Sequence, residues 1–248
     1  MEEASTIRHR LDLVIQLVDT TTGAAVEEQD VRFFIEGKQC WPIPRGGGNF
    51  VFINTGRGDN TLTLKVYGYE DAVIDVQYEK LDKVVPLKQV FLIPSEKLAK
   101  GERLCSLTGT LQGLEEIEAV SLSQSNLCYS EFNEKKCMLK LFLARGRLSM
   151  ENVHYGLISE DRAHYEHFEV VEEVPPNMVK LKEPLKETFT VNSPIARVVF
   201  GNVSPDGSYL LRVRDDALVV EYLVRYRVNG EDRFQVVDFH QCTENELR

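Results

Sequence analysis

The sequence predicts an all-β chain of tandem small antiparallel β-sandwich domains, and three observations carry that prediction. Valine outnumbers alanine 28 to 10 in 248 residues, which tilts the composition toward strands. Apolar residues recur with period two over short segments, as where Leu11, Leu13, Ile15 and Leu17 alternate with Asp12, Val14, Gln16 and Val18. Turn-forming residues punctuate these segments at short intervals, and no segment carries the 3.6-residue period of a convincing long helix. Helix content should therefore fall well below the roughly one third usual in globular chains.

The first strand runs into Asp19-Thr20-Thr21-Thr22-Gly23, a turn. Strands follow at 31–35 and 39–43, reversing through Glu36-Gly37-Lys38, and Pro44-Arg45-Gly46-Gly47-Gly48 breaks the ladder. Further strands read at 50–53, 62–67, 72–77 and 88–93, parted by 54–60, by Gly68 and by the charged stretch 79–83. So many short strands in about 90 residues describe a sandwich, with Leu13, Ile15, Phe33, Phe52, Leu64 and Val66 expected in its core.

The strand ending in Asp19-Thr20-Thr21-Thr22-Gly23, with Val26 close behind, leads to a Gly-rich hairpin loop, Asn49-Phe50-Val51-Phe52 and Gly68-Tyr69-Glu70. This succession resembles the carboxypeptidase regulatory-like domains, over residues 8–95 only. The resemblance implies a transthyretin-like (prealbumin-like) sandwich, and a non-catalytic spacer, regulatory or binding role. Domain 1–95 is assigned on that basis.

Pro94 to Arg103 pairs a break signal with mixed charges and marks a boundary. Beyond it, period-two segments at 105–111, 117–122, 138–143, 153–158, 166–171 and 178–181 make a second β-rich domain over 104–185. A C-terminal hairpin unit over 190–248 is either separate or continuous with it. Within that unit, 198–203 reverses through Ser204-Pro205-Asp206-Gly207-Ser208 into 209–214. The strand 219–228 reverses through Asn229-Gly230 into 234–239, and Asn-Gly is the strongest short hairpin signal in the chain.

Charge excludes some partners. With 29 basic and 39 acidic residues the chain carries a net charge of -10, which repels phosphate backbones, so nucleic acid is not an expected partner. No apolar run exceeds four residues, so neither membrane insertion nor a secretory signal is expected. Synthesis in the cytoplasm, with release by lysis if the chain belongs to a particle, is the matching expectation. The five cysteines are scattered, with no Cys-x-x-Cys pair, and predict neither a disulfide framework nor a zinc site; a reducing compartment fits them.

Candidate chemistry is sparse. His154, His164 and His167 lie within fourteen residues, but positions 164 and 167 would face opposite sides of one strand, so a solvated cluster is expected rather than a metal site. Ser193, Asp215, Asp216 and His240 supply triad-type residues without a nucleophile elbow. Gly46-Gly47-Gly48 lacks the Lys-Ser or Lys-Thr of a phosphate loop. Hence no catalytic residue, metal or cofactor is expected. The candidate partner contacts are Trp41, set against a reading of it as core, Arg57 and Asp59 of Arg57-Gly58-Asp59, set against a plain polar turn, and Arg225 and Arg227 on strands with one charged and one apolar face. By elimination the expected role is a non-enzymatic structural or adaptor subunit of a phage tail or tail-like contractile particle, contacting other protein subunits or copies of itself. The alternatives are a binding module for a carbohydrate or small ligand, and a β-rich hydrolase.

Overall fold

Alternation along Leu11–Asp19 (β1) places Leu13, Ile15 and Leu17 in the core of the first of two compact units, residues 1–100 and 101–248. A computed structural model describes residues 10–27, 30–56, 58–95, 104–123, 127–143, 154–214, 221–239 and 247. Arg57, Asp215, Asp216, His240, Cys242 and the boundary stretch 96–103 lie outside them.

Two four-stranded sheets make the first unit. One joins β1 to Ile43–Arg45 (β4), Asn49–Ile53 (β5) and Leu87–Leu92 (β8) in the order β4-β5-β1-β8. The other joins Val31–Ile35 (β2), Lys38–Cys40 (β3), Asn60–Val66 (β6) and Ala72–Val76 (β7) in the order β3-β2-β6-β7. Their inner faces share one apolar core, where the Phe33 ring meets Phe50 at 4.9 Å and Phe52 at 5.4 Å. All six residues expected in the core are buried. Two details depart from a plain antiparallel reading. β1 and β8 pair in parallel, because the chain passes through the other sheet before returning to the first. The single strand expected at 39–43 is split at Trp41-Pro42: Pro42 has no N–H for a ladder, and the halves β3 and β4 enter different sheets.

The second unit contains a ring and a sandwich that share a strand. Leu127–Asn133 (β11), Met138–Leu143 (β12), His154–Ile158 (β13), Tyr165–Val174 (β14), Met178–Leu181 (β15) and Pro194–Phe200 (β16) pair as β11-β12-β15-β14-β13-β16, and a β11–β16 pairing closes the circuit. Inside it pack Leu139, Leu141, Leu157, Phe168, Val170 and Ile195. Beyond β16 the same sheet continues through Leu114–Ser121 (β10), Glu221–Val228 (β19) and Glu231–Asp238 (β20). A three-stranded sheet of Leu104–Thr110 (β9), Asn202–Val203 (β17) and Ser208–Arg214 (β18) shares a second core with it, including Leu107, Ile117, Val199, Leu211 and Val224. Pairings of β9 with β18 and of β10 with β16 and β19 tie 104–121 to the C-terminal strands, so 190–248 is continuous with 104–185.

Gly201 divides the strand expected at 198–203. Its Cα lies so close to Ile117 and the Leu210 carbonyl that a Cβ would come within 2.7 and 2.8 Å, and the chain there leaves the large sheet for the small one. Asn229 and Gly230 both take positive φ, 52° and 79°, as the expected two-residue hairpin turn requires. Cys105 is disulfide-bonded, while Cys40, Cys128 and Cys137 are free thiols.

Candidate functional site

β10 reads Ile117-Glu118-Ala119-Val120, and alternation sends Ile117 and Ala119 into the sandwich core while Glu118 faces the other side. Phe200 and Arg225 are its direct neighbours on β16 and β19. On the same face β14 presents Tyr165, His167 and Glu169, and β13 presents His154 opposite Glu169. Gly156 faces His167 across that pair, and any side chain there would collide with the Tyr165 ring and Val120, each 2.7 Å from a Cβ. The strand glycine therefore leaves room for the tyrosine to lie over the sheet.

Glu118 is 4% exposed yet fully engaged. The Tyr165 hydroxyl donates to its Oε1 at 3.1 Å, His167 Nδ1 lies 3.1 Å from Oε2, and Arg225 Nε lies 3.3 Å from Oε1. His167 Nε2 in turn meets His154 Nδ1 at 2.8 Å. The Tyr165 hydroxyl, the Glu118 carboxylate and the two histidine rings thus form one hydrogen-bonded chain across β10, β14 and β13. Burial opposes ionisation of Glu118, but the hydrogen bond and charge of His167, the charge of Arg225 and the tyrosine hydroxyl outweigh it and hold the carboxyl below its ordinary range. Burial and then the neighbouring His167 charge push His154 down to about 4, so its ring is neutral near pH 7. Burial, followed by the Glu118 charge, raises Tyr165 well above an ordinary phenol and keeps it a donor.

This network borders a cleft of about 460 Å³. Its other wall is the 182–187 segment, whose Lys186 and Glu187 amides donate to Glu166 at 2.7 and 3.0 Å. Around the cleft five lining carboxylates stand against four lining cations, and several of them pair. Lys182 meets Glu169 at 2.7 Å, Arg227 meets Asp232 at 2.9 Å, and Arg225 reaches Glu116 at 3.2 Å. Phe234 adds an apolar face, its ring edge-on to Tyr165 at 5.5 Å.

The residues singled out from the sequence fall unevenly on this map. His154 and His167 come together across the β13–β14 pair rather than forming a solvated cluster, because they sit on different strands of one face; His164 instead bonds Glu187 at 2.7 Å. Arg225 and Arg227 belong to the cleft. Only 13% of the Arg225 side chain is exposed, so the free charged face expected of these strands is replaced by internal ion pairs. Arg212 likewise is buried and donates to Ser106 Oγ at 3.1 Å. Trp41 is 80% exposed, which overturns its reading as core. Asp59 accepts from the Tyr78 amide at 3.2 Å. Among the described residues no group of three or more His, Cys, Asp or Glu is placed to hold a metal ion. Sequence reasoning missed Glu118 and Tyr165, which lie 47 positions apart; the available signal was one carboxylate set among Ile117, Ala119 and Val120.

No family model matches the chain, and no curated protein matches it. One solved structure that it matches, "a putative carbohydrate binding protein" from Bacteroides uniformis, is 10% identical over 92% of this chain and 100% of the other, with a TM-score of 0.22. A likeness of that size carries no argument about fold or function.

Proposed function

We propose that this chain is a non-enzymatic binding protein, and that the cleft beside Glu118 takes a small, neutral, hydroxyl-rich ligand of the carbohydrate class. The observation that carries this reading is the near balance of charge in a concave site with convergent polar groups. Paired carboxylates and cations offer many fixed donors and acceptors with no large excess of either sign, which suits hydroxyl groups better than a phosphate or an ammonium. Among the described residues the lining includes no Ser, Thr or Cys for the histidine chain to activate, which favours binding over acyl transfer. Calorimetry of the full chain against a panel of neutral mono- and oligosaccharides tests the reading. Saturable heat that Phe234→Ala or Lys182→Ala weakens about ten-fold supports it, and heat from anionic ligands alone overturns it.

A structural or adaptor role in a tail-like particle is the second proposal. Favouring it are the exposed apolar side chains of the first unit, Tyr67, Val73, Val84 and Val85, which are of the kind that subunit contacts cover. Native mass spectrometry and electron microscopy of purified material should then show ordered oligomers; a strict monomer at high concentration argues against it.

A further inference from the structure

A second cleft, of about 410 Å³, lies within the first unit where the chain crosses from one sheet to the other at Trp41-Pro42. Trp41, Gln39 and Arg45 line it together with the core rings Phe33 and Phe50. We propose that it binds a neutral oligosaccharide, with Trp41 as the platform for one pyranose ring and Gln39 and Arg45 as partners for the hydroxyls on its rim.

Exposure is the first argument. The sole tryptophan of the chain stands 80% in water, while Phe33, Phe50 and Phe52 fill the core beneath. Nothing in the packing of the unit requires a large ring at that position. Rigidity is the second. Cys40 pairs with Phe33 on one side of Trp41, Ile43 pairs with Val51 on the other, and Pro42 fixes its own φ between them. The indole is thereby carried on a short, held connection, and a ligand need not order a loop before it can stack.

Composition is the third. A pyranose presents C–H groups on one face and hydroxyls around its edge. The flat indole matches the first, and a planar amide and a planar guanidinium each offer two adjacent hydrogen-bonding groups to the second. Of the charged residues on the cleft wall, Glu27 already accepts the Gly47 amide at 2.9 Å, which steadies the glycine loop. Arg45 is then the only cation among the described residues of that wall, too little for a phosphate. A polyproline strand would require paired aromatic ridges, and this site presents one exposed ring.

Because Trp41 is the only tryptophan, its emission reports this cleft alone. The full chain is titrated separately with cellohexaose, laminarihexaose and xylohexaose while tryptophan fluorescence is followed, and a saturable shift is expected with at least one. Gln39→Ala and Arg45→Ala should weaken it several-fold. By calorimetry with the same sugar, Trp41→Ala should lose at least about ten-fold in affinity while retaining the strand-type circular dichroism of the parent. Phe234→Ala, in the second unit, should leave the fluorescence titration unchanged, so failure here is distinct from failure at the Glu118 cleft. The proposal is overturned if none of the three sugars alters the emission, if Trp41→Ala binds the active sugar as tightly as the parent, or if decaproline shifts the emission in their place.

Discussion

Asp19 in the first unit and Glu118 in the second are both buried carboxylates, but they hold different things. Asp19 accepts the Thr21 and Thr22 amides at 2.8 and 2.9 Å, the Thr21 hydroxyl at 2.7 Å and the Tyr69 hydroxyl at 3.1 Å. Its work is local: it closes the turn that ends β1 and ties it to one neighbouring ring. Glu118 is engaged by side chains from β14 and β19, two of them titratable, on the border of a cleft. A buried acid that serves backbone amides is explained by the fold it stabilises. One that orders a histidine pair and an arginine beside open space is the stronger candidate for a functional site.

The largest effect is expected at Glu118. Glu118→Ala should lower the unfolding free energy by about 3–5 kcal/mol, because Arg225 and His167 then lie partly buried without their shared partner. Urea denaturation measures this, and a loss under 1 kcal/mol would reduce the network to decoration.

Acid should separate the two units next. From about pH 6.5 down to 4 the unfolded chain takes up a proton that the folded environment of His154 refuses, so the stability of the second unit should fall through that window. Glu118 adds to the loss only below about 4.5, since its folded value is depressed. The first unit has no histidine among its described residues and should show little change from pH 7 to 5. His154→Phe should flatten the slope; denaturation midpoints at several pH values check it, and an unaltered slope would assign the effect elsewhere.

Asp19→Ala should cost about 1–2 kcal/mol, as expected for losing a turn-closing acceptor. Its effect should appear in hydrogen exchange of the Thr21 and Thr22 amides and not at the Glu118 cleft. Trp41→Ala should change stability by no more than about 0.5 kcal/mol, since the ring is mostly in water. A larger loss of stability would return Trp41 to a structural role.

Much of the first unit was legible because its signal is local. Leu13, Ile15, Phe33, Phe52, Leu64 and Val66 are all buried as period-two alternation requires, and Asp19 to Gly23 turns where its composition says. Strand β11 was not legible. None of Leu127, Cys128, Tyr129, Ser130, Glu131, Phe132 and Asn133 is fully buried, so the segment lacks the contrast between faces that alternation detects. The Glu118 site was illegible for another reason. Its members come from β10, β13, β14 and β19, and hydrogen bonding across a sheet leaves no trace in the spacing of residues along the chain.

By itself, then, the sequence determined the strand-forming character of the chain, most strand positions and the Asn229-Gly230 reversal, because backbone sterics and the two faces of a strand act over a few residues. Only the tertiary structure decided that β16 belongs to both the ring and the sandwich, that Trp41 stays outside the core, and that His154, His167, Glu118 and Arg225 meet. Those outcomes depend on which strands pair. Pairing is set by the burial of whole faces against one another, a property that no short stretch of residues contains.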